Sequence, residues 1–115
     1  MKVIYVAGKY RDERGEYWVR QNILMAEEYA LLVWKCGGVA LCPHKNTSGF
    51  GGAITARGDD VWLEGDLELI SRCDAVWAIP DWENSSGAVK EVEFAKARNI
   101  PVLYHLTEVH KFIQQ

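Results

Sequence analysis

Long apolar runs are missing from these 115 residues. None approaches the roughly 18 to 20 positions that a helix needs to cross a bilayer. The opening stretch, Met1-Lys2-Val3-Ile4-Tyr5-Val6-Ala7-Gly8, is too short and too β-branched for a secretory signal. Cationic excess is missing as well. A formal net charge of -3 provides no polycationic surface, which argues against nucleic-acid polymers as partners and leaves room for a small anion held by local donors. Cysteine is scarce and odd in number: Cys36, Cys42 and Cys73 lie inside or beside apolar segments at no metal-ligand spacing. They read as reduced, mostly buried thiols of a cytoplasmic protein. Neither a Walker-type glycine-lysine motif nor GxGxxG follows the first strand-like run, so ATP hydrolysis and dinucleotide redox chemistry fit poorly.

What is present is an ordinary globular balance, 49% apolar and 25% charged, over a length that suits one domain spanning residues 1–115. Short β-branched runs alternate with segments of helical period. Lys2–Ala7, Val39–Cys42, Asp74–Ile79 and Pro101–Tyr104 read as strands. Tyr17–Lys35, Asp59–Arg72, Ser86–Arg98 and Thr107–Ile113 read as helices, the first stopped by Gly37-Gly38. Between them, Pro43–Gly58 is glycine-rich and has no clear period; its Gly49-Phe50-Gly51-Gly52 segment suits either a lid or simple disorder. Strand and helix in alternation predict an α/β fold: a single-domain doubly wound parallel sheet, a flavodoxin-like or Rossmann-like three-layer sandwich. In such a sheet the ligand sits at the carboxyl ends of the strands. Those ends are Gly8-Lys9-Tyr10, Pro43-His44 and Pro80-Asp81-Trp82.

Helical wheels at about 100° per residue expose two anomalies. Leu63, Leu67 and Ile70 form an apolar face on the second predicted helix, and Asp66 falls inside that arc. Ala88, Val92 and Ala95 do the same on the third, and Glu91 falls among them. An ionised carboxylate buried without a partner is costly, so such positions have a reason: a structural ion pair, or chemistry. Paired carboxylates are the working parts of glycosidic-bond cleavage, one attacking the sugar and the other handling the proton of the leaving group.

Ahead of Glu91, Asn84-Ser85-Ser86-Gly87 offers a helix N-cap, and free N–H groups at such an end also bind phosphate. Ser85, Ser86 and Gly87 are therefore candidates to hold a phosphate whose sugar reaches Glu91. Gly8, Lys9 and Arg11 after the first strand form a second donor group, and Tyr10 is placed to orient Glu91; a solvated charged loop fits the same residues. His44 could meet the ligand or be a solvated loop histidine, and Trp82 could stack on a base or simply pack. His105 and His110 suit no standard metal site.

These residues resemble the nucleoside 2-deoxyribosyltransferase superfamily, including its 2'-deoxynucleoside 5'-monophosphate N-glycosidase branch and small phage-type relatives. The resemblance runs through Ile4–Tyr10, Gly38–Pro43, Asp66–Val76 and Ser85–Ala95. Its most specific part is the Gly-x-x-x-Glu-x-x-x-Ala pattern of Gly87, Glu91 and Ala95. It implies Glu91 as nucleophile and Asp66 as acid/base. It also implies Ser85 as the phosphate contact, where the transferring branch usually has an aspartate. Glu93 departs from the glycine usual at that place. The expected activity is hydrolysis of the base–sugar bond of a (deoxy)nucleoside 5'-monophosphate, with base transfer or non-catalytic nucleotide binding as alternatives. No metal or organic cofactor is required by that chemistry, and the resemblance implies a homodimer or higher homo-oligomer acting on a small nucleotide or nucleoside.

Overall fold

The computed structural model describes residues 1–50, 53, 55 and 58–115. β1 (Val3–Ala7) leads into a long α1 (Glu16–Lys35), then β2 (Val39–Leu41) and a short α2 (Pro43–Asn46). A 3-10 turn at Gly58–Asp60 opens α3 (Val61–Ile70), followed by β3 (Ala75–Ala78) and a second 3-10 turn, Trp82–Asn84. α4 (Ser86–Ala97), β4 (Val102–Leu103) and α5 (Leu106–Ile113) complete the chain. The four strands form one parallel sheet in the order β2-β1-β3-β4. The expected doubly wound α/β arrangement is therefore present. The point where strand order reverses lies between β1 and β3, whose register pairs Tyr5 with Val76 and Ala7 with Ala78.

Side chains alternate across a strand, and here the alternation separates two cores. Ile4, Val6, Ala75, Trp77 and Ile79 face one way and pack with Ala26, Ala30 and Val33 of α1 and Val109 of α5. Tyr5, Ala7 and Val76 face the other way, against Ile70 at the end of α3 and Ala95 of α4. These two helical layers sandwich the sheet.

The element ends differ from the sequence expectations in ways local chemistry explains. β2 stops at Leu41 because Cys42 becomes the N-cap residue of α2, with Pro43 at its first position, where a missing N–H costs nothing. That short helix occupies the start of the stretch expected to be irregular. Pro101, which lacks an N–H, stands outside β4. Gly51 and Gly52 lie outside the described residues, and the lid reading lies there with them.

Two glycines are favoured by geometry. After α1 the N–H of Gly38 bonds the Val33 carbonyl at 3.0 Å and that of Gly37 bonds Trp34 at 3.0 Å, with Gly37 at φ 93°. This is a Schellman closure, and its left-handed residue favours glycine. At the switch point the Ile79 N–H bonds the Ala7 carbonyl at 3.0 Å, drawing the two strand ends together. A Cβ on Gly8 would then stand 2.7 Å from the Ile79 side chain, so a larger residue there forces that side chain to shift.

Candidate active site

α4 starts where Ser85, in extended conformation, turns its Oγ back to accept from the Ala88 N–H at 3.2 Å. That cap fixes the helix start, and helical period then puts Ala88, Glu91, Val92 and Ala95 on the buried side. Glu91 is only 6% exposed, which is unusual for a carboxylate. Its Oε2 accepts a hydrogen bond from the Tyr5 hydroxyl, itself fully buried at the centre of β1. Asp66 stands half-buried on α3, close enough for its charge to act on both partners.

The electrostatics follow from burial. Desolvation pushes the Glu91 carboxyl up to about 8; the Asp66 charge adds to the rise, and the Tyr5 hydrogen bond works against it. Burial alone pushes Asp66 up to about 6. The Tyr5 hydroxyl is held well above its ordinary value, first by burial and then by the charges of Glu91 and Asp66. Tyr5 therefore stays a proton donor to Glu91 throughout the accessible pH range. With Glu91 near 8 and Asp66 near 6, neutral pH leaves the proton on Glu91 and Asp66 ionised, so attack by Glu91 requires that this proton pass to Asp66. One ionised oxygen for attack and one proton for a leaving group are the two things a glycosyl-cleaving site needs.

Tyr5 corrects the sequence reading. Tyr10, the tyrosine that the sequence places to orient Glu91, instead meets the ring of His44 edge-on, with centroids 5.3 Å apart. Tyr10 lies beyond the end of β1, whereas Tyr5 sits within the strand on the face turned toward α4. A period-two reading of β1 carries the signal: a tyrosine inside a buried strand must find a partner for its hydroxyl, and Tyr5 shares its face with Ala7.

The loop after β1 is organised around Asp12, a residue with no signal in the sequence pattern. Its side chain is 2% exposed. It accepts from Arg14 Nε at 2.8 Å and Arg14 Nη2 at 2.7 Å, with Lys9 Nζ at 3.7 Å. The Arg14 hydrogen bonds hold the Asp12 carboxyl well below the usual carboxylate range. Lys9 Nζ also lies 4.0 Å from Asp81 Oδ2, so this ammonium is shared between two carboxylates rather than offered freely to a phosphate. Arg11 is exposed and enters no ion pair among the described residues.

His44 is not a solvated loop histidine. It is 5% exposed on α2, with Nε2 at 2.8 Å from the Lys9 carbonyl oxygen. A carbonyl can only accept, so Nε2 carries the proton and the buried Nδ1 has no hydrogen-bond partner. Burial lowers the His44 pKa, which keeps the ring neutral and makes it a brace for the Gly8–Asp12 loop. Trp82 is half-buried on its 3-10 turn, its ring 6.0 Å from that of Tyr104.

Two positions therefore converge with Tyr5 at one place, Glu91 and Asp66. Ser85, Ser86 and Gly87 stand on the same helix as Glu91, six positions and about 9 Å of helix axis before it in the case of Ser85. The Ser85 hydroxyl proton is not used by the cap and stays available to a ligand. His44 and Tyr10 meet one another, and Trp82 meets Tyr104. A hollow of about 380 Å³ lies on the other side of the sheet, lined by Tyr29, Trp77, Pro80 and Tyr104 among others, and does not include Glu91. Among the described residues no three His, Cys, Asp or Glu side chains gather as a metal-ligand set. Cys36, Cys42 and Cys73 are free thiols, and no described helix is long and apolar enough to cross a membrane.

A parallel sheet in this order gives an α/β fold similar to that of 2-deoxyribosyltransferases. The 2-deoxyribosyltransferase of Bacillus psychrosaccharolyticus superposes with a TM-score of 0.61 at 19% identity, over 87% of this chain and 69% of that one. The Leishmania mexicana enzyme gives 0.62 at 20% identity, over 90% and 63% respectively. A conserved protein from Enterococcus faecalis V583 gives 0.62 at 23% identity, over 89% and 61%. The chain thus shares the fold of these proteins while spanning between 61% and 69% of their lengths. It belongs to the family described as a domain of unknown function, DUF7768, whose profile matches residues 2–105. No curated protein matches it.

Proposed function

We propose that this domain cleaves the N-glycosyl bond of a nucleoside or nucleotide with Glu91 as nucleophile and passes the sugar to an acceptor base. The observation that carries this reading is the buried Glu91 carboxyl, held by the Tyr5 hydroxyl and raised to about 8 beside Asp66. In the first step a Glu91 oxygen bonds the anomeric carbon while the bond to the base nitrogen breaks, and Asp66 delivers a proton to the departing base. In the second step the acceptor nitrogen displaces Glu91 and returns its proton to Asp66, so configuration is retained. Tyr5 donates to Glu91 Oε2, which leaves Oε1 for attack and stabilises the departing carboxylate.

Transfer is preferred over hydrolysis because two of the fold neighbours carry the name 2-deoxyribosyltransferase. Hydrolysis of a nucleoside 5'-monophosphate, the activity expected from sequence, is the second reading. Its specific support is Ser85, whose hydroxyl proton is free at the N-terminus of the Glu91 helix. A chromatographic assay separates the two. Incubation with a deoxynucleoside and a second base yields a new nucleoside under the transfer reading. Free base released only from 5'-monophosphates, at a rate unchanged by added base, moves the assignment to hydrolysis. Neither product from any donor overturns catalysis altogether.

A further inference from the structure

On the side of the sheet away from Glu91, the hollow of about 380 Å³ has a lining that the proposed reaction does not use. Its most buried member is Trp77 of β3, 1% exposed. The Tyr29 ring of α1 stands 5.0 Å from the Trp77 ring at 84°, so the two rings meet nearly at right angles. Tyr104, the first residue beyond β4, adds a third aromatic ring, and Leu32 and Leu106 add aliphatic surface. With Pro80 beyond β3 also in the lining, the hollow lies at the carboxyl ends of β3 and β4. Doubly wound sheets hold ligands along that edge. The volume falls within the range of small-molecule sites, about 300 to 1,000 Å³.

Charge selects the occupant. Glu28 of α1 is the one Asp, Glu, Lys or Arg in the lining. It is exposed and enters no ion pair among the described residues. Its helical neighbours three and four positions away are Leu24, Met25, Leu31 and Leu32, so no base on α1 neutralises it. The faces of aromatic rings are negative as well. An anion finds no lysine or arginine there, and His105 is the one other ionisable lining group besides the tyrosines. A metal ion needs several ligating side chains, and no three gather among the described residues. A carboxylate beside aromatic and aliphatic walls suits a cation that itself carries apolar groups. We infer that the hollow binds a small organic cation, an alkylammonium whose charge meets Glu28 and whose alkyl groups lie against Tyr29, Leu32 and Tyr104.

Proton–nitrogen NMR of the tryptophan side-chain N–H groups tests this, with choline as the probe and its uncharged isostere 3,3-dimethyl-1-butanol as the control. The Trp77 signal is identified by its loss in Trp77→Phe. Choline shifts that signal saturably, with a Kd in the millimolar range, and the alcohol binds about tenfold more weakly. Glu28→Gln, a change at an exposed position, weakens choline by about tenfold, and Tyr104→Leu weakens it by about threefold. Glu91→Gln binds choline as the unaltered chain does, so the outcome is independent of the proposed activity. A Trp77 signal that choline does not move overturns the inference. Equal binding of the alcohol overturns it too, since the hollow then selects apolar bulk and not charge. Affinity unchanged in Glu28→Gln places choline elsewhere and overturns it equally.

Discussion

The two faces of the sheet are built from the same strands and put to different uses. Toward α1 and α5 the strands present Ile4, Val6, Trp77 and Ile79, and every buried member of that cluster is apolar. Toward α3 and α4 they present Tyr5, Ala7 and Val76, with Glu91 buried nearby among small residues of α4. Apolar burial contributes stability at about 25 cal/mol per Å², so the first face carries more of the fold. The second gives up part of that contribution: each small side chain leaves room before a carboxyl, and burial of that carboxyl raises its pKa. The α1 side is the foundation, and the α4 side carries the candidate site.

Substitutions on the two faces therefore act on different observables. The largest effect is on activity. Under the proposed mechanism, Glu91→Gln lowers turnover by about a thousandfold or more, because the group assigned to attack is removed. The same variant gains stability in a pH-dependent way. Glu91 has a folded pKa near 8, above its ordinary 4.5. The native chain therefore binds its proton more tightly, and that contribution is complete below about 4.5 and lost as pH rises through 8. Thermal melts at pH 9 are expected to place the Gln variant above wild type by about 3–5 kcal/mol, with the two close together at pH 4. Equal melts at both pH values would show that Glu91 is not desolvated.

Trp77→Ala, on the other face, is expected to destabilise the fold by about 3–5 kcal/mol, measured by urea titration. The pH profile of the molecules that remain folded should not move. Tyr5→Phe is milder, with turnover falling by about 10- to 100-fold as one hydrogen bond to a charged group is lost. The alkaline shift is the diagnostic part: without the Tyr5 bond the Glu91 carboxyl titrates higher, so the limb of the pH–rate profile near 8 moves up. The smallest effect is in the wild-type profile itself, a bell with apparent limbs near 6 and 8 from the coupled pair. Asp66→Asn removes one limb and lowers the other, because the Asp66 charge contributes to raising Glu91.

Both faces are partly legible in the amino-acid sequence. β1 and β3 read as strands because buried parallel strands are nearly continuous in Val, Ile and Ala. Glu91 and Asp66 emerge from helical period alone, since three small or apolar neighbours on one arc define an inner side whatever packs against it. Period does not reveal which strand residue meets Glu91. That depends on which face of β1 turns toward α4, and the choice between Tyr5 and its neighbours Ile4 and Val6 is made by tertiary packing. His44 escapes for a related reason. Its burial follows from α2, four residues set by Cys42 and Pro43, too short to show a period. Asp12 escapes because a loop carboxylate has no pattern until Arg14 folds back onto it.

The central claim is that Glu91, positioned by Tyr5, bonds to the sugar. Intact mass and peptide mapping after incubation with a 2'-fluoro-2'-deoxynucleoside, whose fluorine slows departure of the enzyme-bound sugar, test this most directly. The expected result is one fluorosugar ester on the peptide containing Glu91, present in wild type and absent in Glu91→Gln. Base release with no adduct, or an adduct on any other residue, would contradict a nucleophilic Glu91.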